Sequence, residues 1–190
     1  MNRRNFLAGI AAGGATAASA RVALARTPAR DYPNPLLRTH EGKAVRFYDD
    51  LLKNKVVVIN FMFAQCGDIC PTMTENLVAV QARLGERVGR SIFMYSLTLE
   101  PERDTPEALK EYAEAFSVGP GWLFLTGAPA DIELLRRTLG FADLSDPVLD
   151  ADRTQHIGLV RFGNVRLDRW TACPALTNPD EIAREILWVA

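Results

Sequence analysis

The run Lys55–Phe63, KVVVINFMF, constrains the fold more than any other stretch of the chain. It is apolar at nearly every position and rich in β-branched residues, so it does not alternate between a dry face and a wet one. Such a run is a strand covered on both faces, which calls for helices above and below a sheet. Directly after it, AQCGDICPTM places Cys66 and Cys70 four residues apart. Pro71 then stands near a helix start, and Met73, Leu77, Val80 and Leu84 recur at helical spacing.

The remaining elements are marked by punctuation and period. LLRTHEGKAVRF has two short runs around Glu41-Gly42, a hairpin signal, with a short helix after it. SIFMYSLTL is a second buried strand. Thr105-Pro106-Glu107 starts a helix with a capping oxygen, a proline that has no donor to lose, and an acidic first turn. That helix carries Leu109, Tyr112, Ala113 and Phe116 on one side. GWLFLTG is a third strand, and APADIELLRRTLG is a helix closed by Gly140. HIGLVRFGNVRLDRW reads as a two-stranded ribbon turning at Gly163-Asn164. The last helix is capped by Asn178, with Ile182, Ile186 and Trp188/Val189 facing inward. This order implies an α/β domain over residues 36–190, a mixed sheet with helices on both faces and an N-terminal β-hairpin. A cysteine pair between the first long strand and a helix gives that domain a thioredoxin-like layout.

Residues 1–25 stand apart. Arg3 and Arg4 precede a mildly apolar Phe6–Ala20 stretch, with the small-residue cleavage candidates Ala18-Ser19-Ala20 and Ala23-Leu24-Ala25 at its end. This is the arrangement of an export signal of the twin-arginine type, expected to be cleaved. Its apolar part is shorter than the roughly 20 residues a membrane-spanning helix needs. A permanent membrane anchor is therefore the alternative, not the expectation. Residues 26–35, RTPARDYPNP, form an extended lead-in. Removing the leader takes Arg3, Arg4 and Arg21 and no acidic residue, so the formal net charge moves from −1 to −4. A mildly acidic domain with mixed charges gives no electrostatic basis for nucleic-acid binding. Export, to the periplasm, also places the three cysteines in an oxidising compartment, where an odd number leaves one without an intrachain partner.

Three readings of Cys66 and Cys70 compete. A structural disulfide is within reach at this spacing, but so short a loop stabilises little. A thiol-disulfide oxidoreductase would use the same pair, with the helix start favouring a thiolate at Cys70 and Cys66 as the more exposed attacking thiol. The usual exchange spacing, however, has two intervening residues rather than three. The proline expected before a later strand is also missing: none lies nearer than Pro147 to the strand after ADRTQ. The third reading is a metal site. Two thiolates about 4 Å apart repel by about 4 kcal/mol at an effective dielectric of 20, holding the second proton about three pKa units more tightly. A bound cation reverses the sign of that interaction, and thiolates select Cu(I), with zinc as competitor. His156, opening a strand, is the candidate third ligand for Cu(I) or Cu(II). His40, in the hairpin turn, reads as a solvated turn residue. Met62 and Met73 flank the pair but read as core.

Several of these segments resemble those of the Sco/SenC family, periplasmic or mitochondrial proteins that help assemble the copper site of cytochrome c oxidase. GKAVRFYDDLLKNKVVVINFMF is similar to the family's hairpin-plus-strand entry and CGDICPTM to its C-x-x-x-C-P signature. SLTLEPERDTPEALKEYAEAF is similar to its D-P-x-x-D-T-P segment, GPGWLFLTG to its next strand, and QHIGLVRFGN to its histidine-bearing hairpin. The resemblance implies a thioredoxin-like fold and copper ligands at Cys66, Cys70 and His156. It further implies a copper metallochaperone whose partner is the copper-site subunit of cytochrome c oxidase or another exported copper protein. A dithiol reductase function is the alternative, and a binding module without metal a third. Gly67 stands where the family has proline and Glu100 where it has aspartate. Asp68 and Asp104 match; they read first as solvated loop carboxylates, with a place behind the metal ligands or facing a partner as the alternative. Cys173 has no family counterpart and reads as a half-buried inert thiol, with disulfide exchange with the main pair or an intermolecular bridge as the alternatives.

Overall fold

In the computed structural model, the structure describes residues 32–65, 69–142, 150 and 158–190. The leader, residues 1–25, and all of the lead-in before Tyr32 lie outside them. Among the described residues, seven strands form one sheet in the order β2-β1-β5-β4-β3-β6-β7. The strands are β1 Leu36–Thr39, β2 Ala44–Arg46, β3 Val56–Met62, β4 Ile92–Thr98, β5 Trp122–Gly127, β6 Leu159–Asn164 and β7 Arg169–Pro174. The described residues also form the α-helices α1 Ile69–Leu84, α2 Pro106–Ala115, α3 Pro129–Thr138 and α4 Pro179–Val189, and a π-helical turn at Phe47–Leu52. β3, β4 and β5 are parallel, and the pairs β1–β2, β1–β5, β3–β6 and β6–β7 are antiparallel.

β3 is buried along its whole length beyond Val56, as a strand covered on both faces must be. Its register separates those faces. Asn60 pairs Ser96, which pairs Phe124, so these three share one side. On that side the Thr74 hydroxyl meets the Tyr112 hydroxyl at 2.8 Å, joining α1 to α2, and α4 packs beside α1. Phe61, Leu97 and Leu125 share the other side, where Phe61 meets Phe141 just beyond α3 at 4.8 Å between ring centroids. The one amide inside the apolar run is fully accommodated. Trp122 Nε1 donates to Ser96 Oγ at 2.9 Å, and Ser96 Oγ donates to Asn60 Oδ1 at 2.7 Å, so a polar chain crosses three central strands with its partners satisfied.

The capping signals operate as read. Thr105 Oγ1 accepts from the Ala108 N–H with Pro106 as the first helical residue, and Asn178 Oδ1 accepts from the Asp180 N–H. Met73, Leu77, Val80 and Leu84 are all buried along α1. Three expectations are corrected. The β6–β7 ribbon does not turn at Gly163-Asn164. β6 runs through Asn164, and the reversal is made by a 3₁₀ turn at Val165–Leu167 and by Asp168, whose φ is +50°. Gly163 is needed for a different reason: it pairs Trp170, and a Cβ there would lie 2.6 Å from the Trp170 ring and closer still to the Arg169 carbonyl. At the C-terminus Val189 faces inward, but Trp188 is 78% exposed.

His40 is the third correction. It is half-buried rather than solvated: its Nδ1 accepts the Phe124 N–H at 3.1 Å, and its ring stands edge-on to Phe124. Burial holds its pKa below the ordinary value of 6.5. The unfolded chain therefore binds the proton more readily, so His40's contribution to stability is complete above about pH 6.5 and is lost as pH falls below it. Urea midpoints measured from pH 8 to pH 5 should show this acid-side loss in the native chain and a flatter profile in His40→Gln. Gly163→Ala should cost about 1–3 kcal/mol in the same assay, because neither the Arg169 carbonyl nor the Trp170 ring has room to retreat.

Candidate metal centre

The parallel strands β3 and β4 end side by side, and the segments leaving them are tied together by a buried carboxylate. Asp104 is 1% exposed. Its two oxygens accept the Ala64 N–H at 3.1 and 3.3 Å, and the Thr98 hydroxyl donates to the same group. Thr98 Oγ1 in turn accepts the Glu100 N–H at 2.9 Å, and the Asp104 N–H returns to the Glu100 carbonyl at 2.9 Å. Above this knot the Arg103 guanidinium donates to Gln65 Oε1 and lies 3.5 Å from Glu100. Asp104 is thus not a solvated loop carboxylate. It fixes the backbone two residues before Cys66. The only sequence signal for this role was its place in the D-P-x-x-D-T-P-like segment, because its principal partner, Ala64, is forty residues distant.

The exit of the cysteine loop is fixed as firmly. Cys70 is the second residue of α1 and is 0% exposed, in the same cluster as the fully buried Met62 and Met73. Both methionines are core, as read. Cys66, Gly67, Asp68 and His156 lie outside the described residues, so the structure describes one of the three candidate ligands. Among the described residues, no group of three or more His, Cys, Asp or Glu side chains could hold a metal ion. A buried sulfur lined by apolar side chains offers a soft donor shielded from water, which fits copper better than a hard cation.

The stretch that carries His156 leaves from and returns to the same end of β3. It leaves at Phe141, whose ring rests on Phe61. It returns through Gly158, whose carbonyl accepts the Ala175 N–H at 2.8 Å, and then Val160, which pairs Asn60. Asn60 is six residues before Cys66, and Val160 is four after His156. Chain length alone keeps each candidate within about 3.5 Å per residue of these paired anchors. Pro147 also lies outside the described residues, among which there is no cis peptide bond. Cys173 sits on β7 opposite Val160, half-buried. Burial, reinforced by the Glu185 charge, pushes its thiol up to about 11 against a hydrogen bond with Thr177. A thiol held that far above neutral pH carries little of the thiolate, which is the reactive form.

Replacing Asp104 should separate the loop's anchor from its ligands. Asp104→Asn keeps the size but loses an acceptor for one of two donors, and is expected to destabilise the fold by about 1–3 kcal/mol. Hydrogen exchange should report faster opening at the Ala64 amide than at the centre of β3.

Comparison with known proteins places these elements in context. The family description SCO1/SenC matches residues 34–190. "Protein SCO1 homolog 1, mitochondrial" of Arabidopsis thaliana is 32% identical over 106 residues, 56% of this chain and 30% of that protein. "SCO1 protein homolog" of Bacillus subtilis is 34% identical over 92 residues, 47% of this chain and 46% of that protein. The chain therefore spans less than half the length of these curated relatives. Among solved structures, Bradyrhizobium japonicum ScoI with copper bound superposes with a TM-score of 0.66 at 27% identity, covering 84% of this chain and all of that one. The thioredoxin-like layout read from the sequence is the fold these structures share. With a family match running from the hairpin through the last helix, the chain belongs to the SCO1/SenC family.

Proposed function

We propose that this protein is an exported copper metallochaperone, binding one copper ion through Cys66, Cys70 and His156 and passing it to the copper-site subunit of cytochrome c oxidase or to another exported copper protein. The observation that carries the reading is the convergence at the C-terminal end of β3. The strand leads toward Cys66, and both ends of the stretch bearing His156 abut its C-terminal half, at Asn60 and Phe61. Cys70 heads α1 as a buried sulfur, and the related ScoI of Bradyrhizobium japonicum holds copper. Binding releases the two thiol protons and replaces thiolate repulsion with attraction to the ion. The Arg3-Arg4 leader directs the chain to the periplasm, and among the described residues no helix is long and apolar enough to cross a membrane.

Titration of the reduced protein with Cu(I) and with Cu(II) tests the reading. One ion per chain is expected. Binding at that stoichiometry should vanish in Cys66→Ala and in Cys70→Ala, and should weaken by at least tenfold in His156→Ala. Indifference of the titration to all three substitutions overturns the proposal in favour of thiol-disulfide exchange, for which Cys66 is left as the attacking thiol because Cys70 is buried.

A further inference from the structure

Val56 pairs Ile92 on one side and Asn164 on the other, so the turns before β3 and β4 and the reversal between β6 and β7 lie at one end of the sheet. α4 finishes there as well. Asn164 is 4% exposed; its Nδ2 donates to the Ala190 carbonyl at 3.3 Å and its Oδ1 accepts the Leu167 N–H at 3.3 Å. One buried amide thus holds the last turn of α4 against the β6–β7 reversal. Both elements turn apolar side chains to solvent: Trp188 is 78% exposed, Leu167 47% and Leu187 42%. These are three of the six large apolar side chains exposed among the described residues. One such side chain is ordinary, but three gathered at one end mark a contact surface.

The same end is basic in a chain whose formal net charge is −1. Residues 53–55, 85–91 and 165–169 carry the cations Lys53, Lys55, Arg87, Arg90, Arg166 and Arg169 against only Glu86 and Asp168. Part of this charge is engaged locally. Arg90 meets Glu86 at 3.1 Å, Lys53 approaches Asp49 at 3.9 Å, and Lys55 Nζ donates to the Asp50 carbonyl. Arg87, Arg166 and Arg169 are exposed and make no ion pair among the described residues. Beyond the other end of β4 the sign is opposite, with Glu100, Glu102 and Asp104 against Arg103.

An occupant of this end has to suit both its projecting apolar side chains and its uncompensated cations. A second copy of the chain would set like charge against like. An anionic lipid surface suits both, since its phosphates pair with guanidinium groups and its headgroup layer receives an indole that is apolar in body and polar at its N–H. We infer that this end is a docking face for an anionic lipid bilayer, on which the protein lies peripherally with Trp188 in the headgroup layer and Arg87, Arg166 and Arg169 against the phosphates. Nothing in this face depends on what the cysteine pair holds. α1 runs from Cys70 to Leu84 toward it, so docking turns the head of that helix up to about 20 Å away from the lipid.

The experiment mixes the full chain with vesicles of phosphatidylglycerol or of phosphatidylcholine and records tryptophan emission and co-sedimentation. Trp122 is buried and Trp170 half-buried, and residues 1–31 contain no tryptophan, so Trp188 is the emitter that lipid can reach. A blue shift is expected with phosphatidylglycerol alone, reversed by high salt and absent in Trp188→Phe. Arg166→Gln and Arg169→Gln should each raise the lipid concentration for half-binding about fivefold, and Trp188→Ala about tenfold. Leu36→Ala removes a side chain that is 55% exposed near the opposite end of the sheet, where Leu37 pairs Gly127, and should change nothing. Co-sedimentation without a shift in emission, as binding through the leader alone would give, overturns the inference. So does undiminished binding in both arginine variants. A blue shift that follows protein concentration without lipid overturns it in favour of a second copy.

Discussion

The carboxylate of Asp104 holds this end of the molecule together. Parallel strands present their C-terminal ends side by side, and the chain leaving each must diverge to reach its own helix. The backbone ladder ties the two departing segments one residue past β4, where the Leu99 N–H donates to the Met62 carbonyl at 2.8 Å. Here one buried anion takes the Ala64 amide from one and the Thr98 hydroxyl from the other. Removed from water, such a charge is stable only with its donors in place. The cysteine loop therefore begins from a fixed backbone position and ends in the first turn of α1, itself locked to α2 through Thr74 and Tyr112.

Features whose cause is local were open to sequence reading. Thr105-Pro106 and Asn178 announce helix starts because capping is decided within three residues, and the apolar period of α1 selects the side chains that meet the sheet. The run at β3 disclosed its two-sided burial by its lack of alternation. The cysteine pair stood out through its spacing alone, and the structure puts Cys70 at the head of α1.

Features decided by distant partners were not legible. His40 reads as a turn residue until β5 is known to bring Phe124 beside it. Asp104 reads as a loop carboxylate until Ala64, forty residues earlier, is seen to need an acceptor. Gly163-Asn164 imitates a turn, since a glycine placed to make room for the Trp170 ring is indistinguishable in sequence from one placed to reverse the chain.

The complete burial of Cys70 has a consequence for traffic through the site. A sulfur wholly enclosed in the core is closed to an incoming ligand from behind. On the copper reading proposed above, a recipient would have to engage an ion there from its outward side, and the innermost sulfur would be the last to let go.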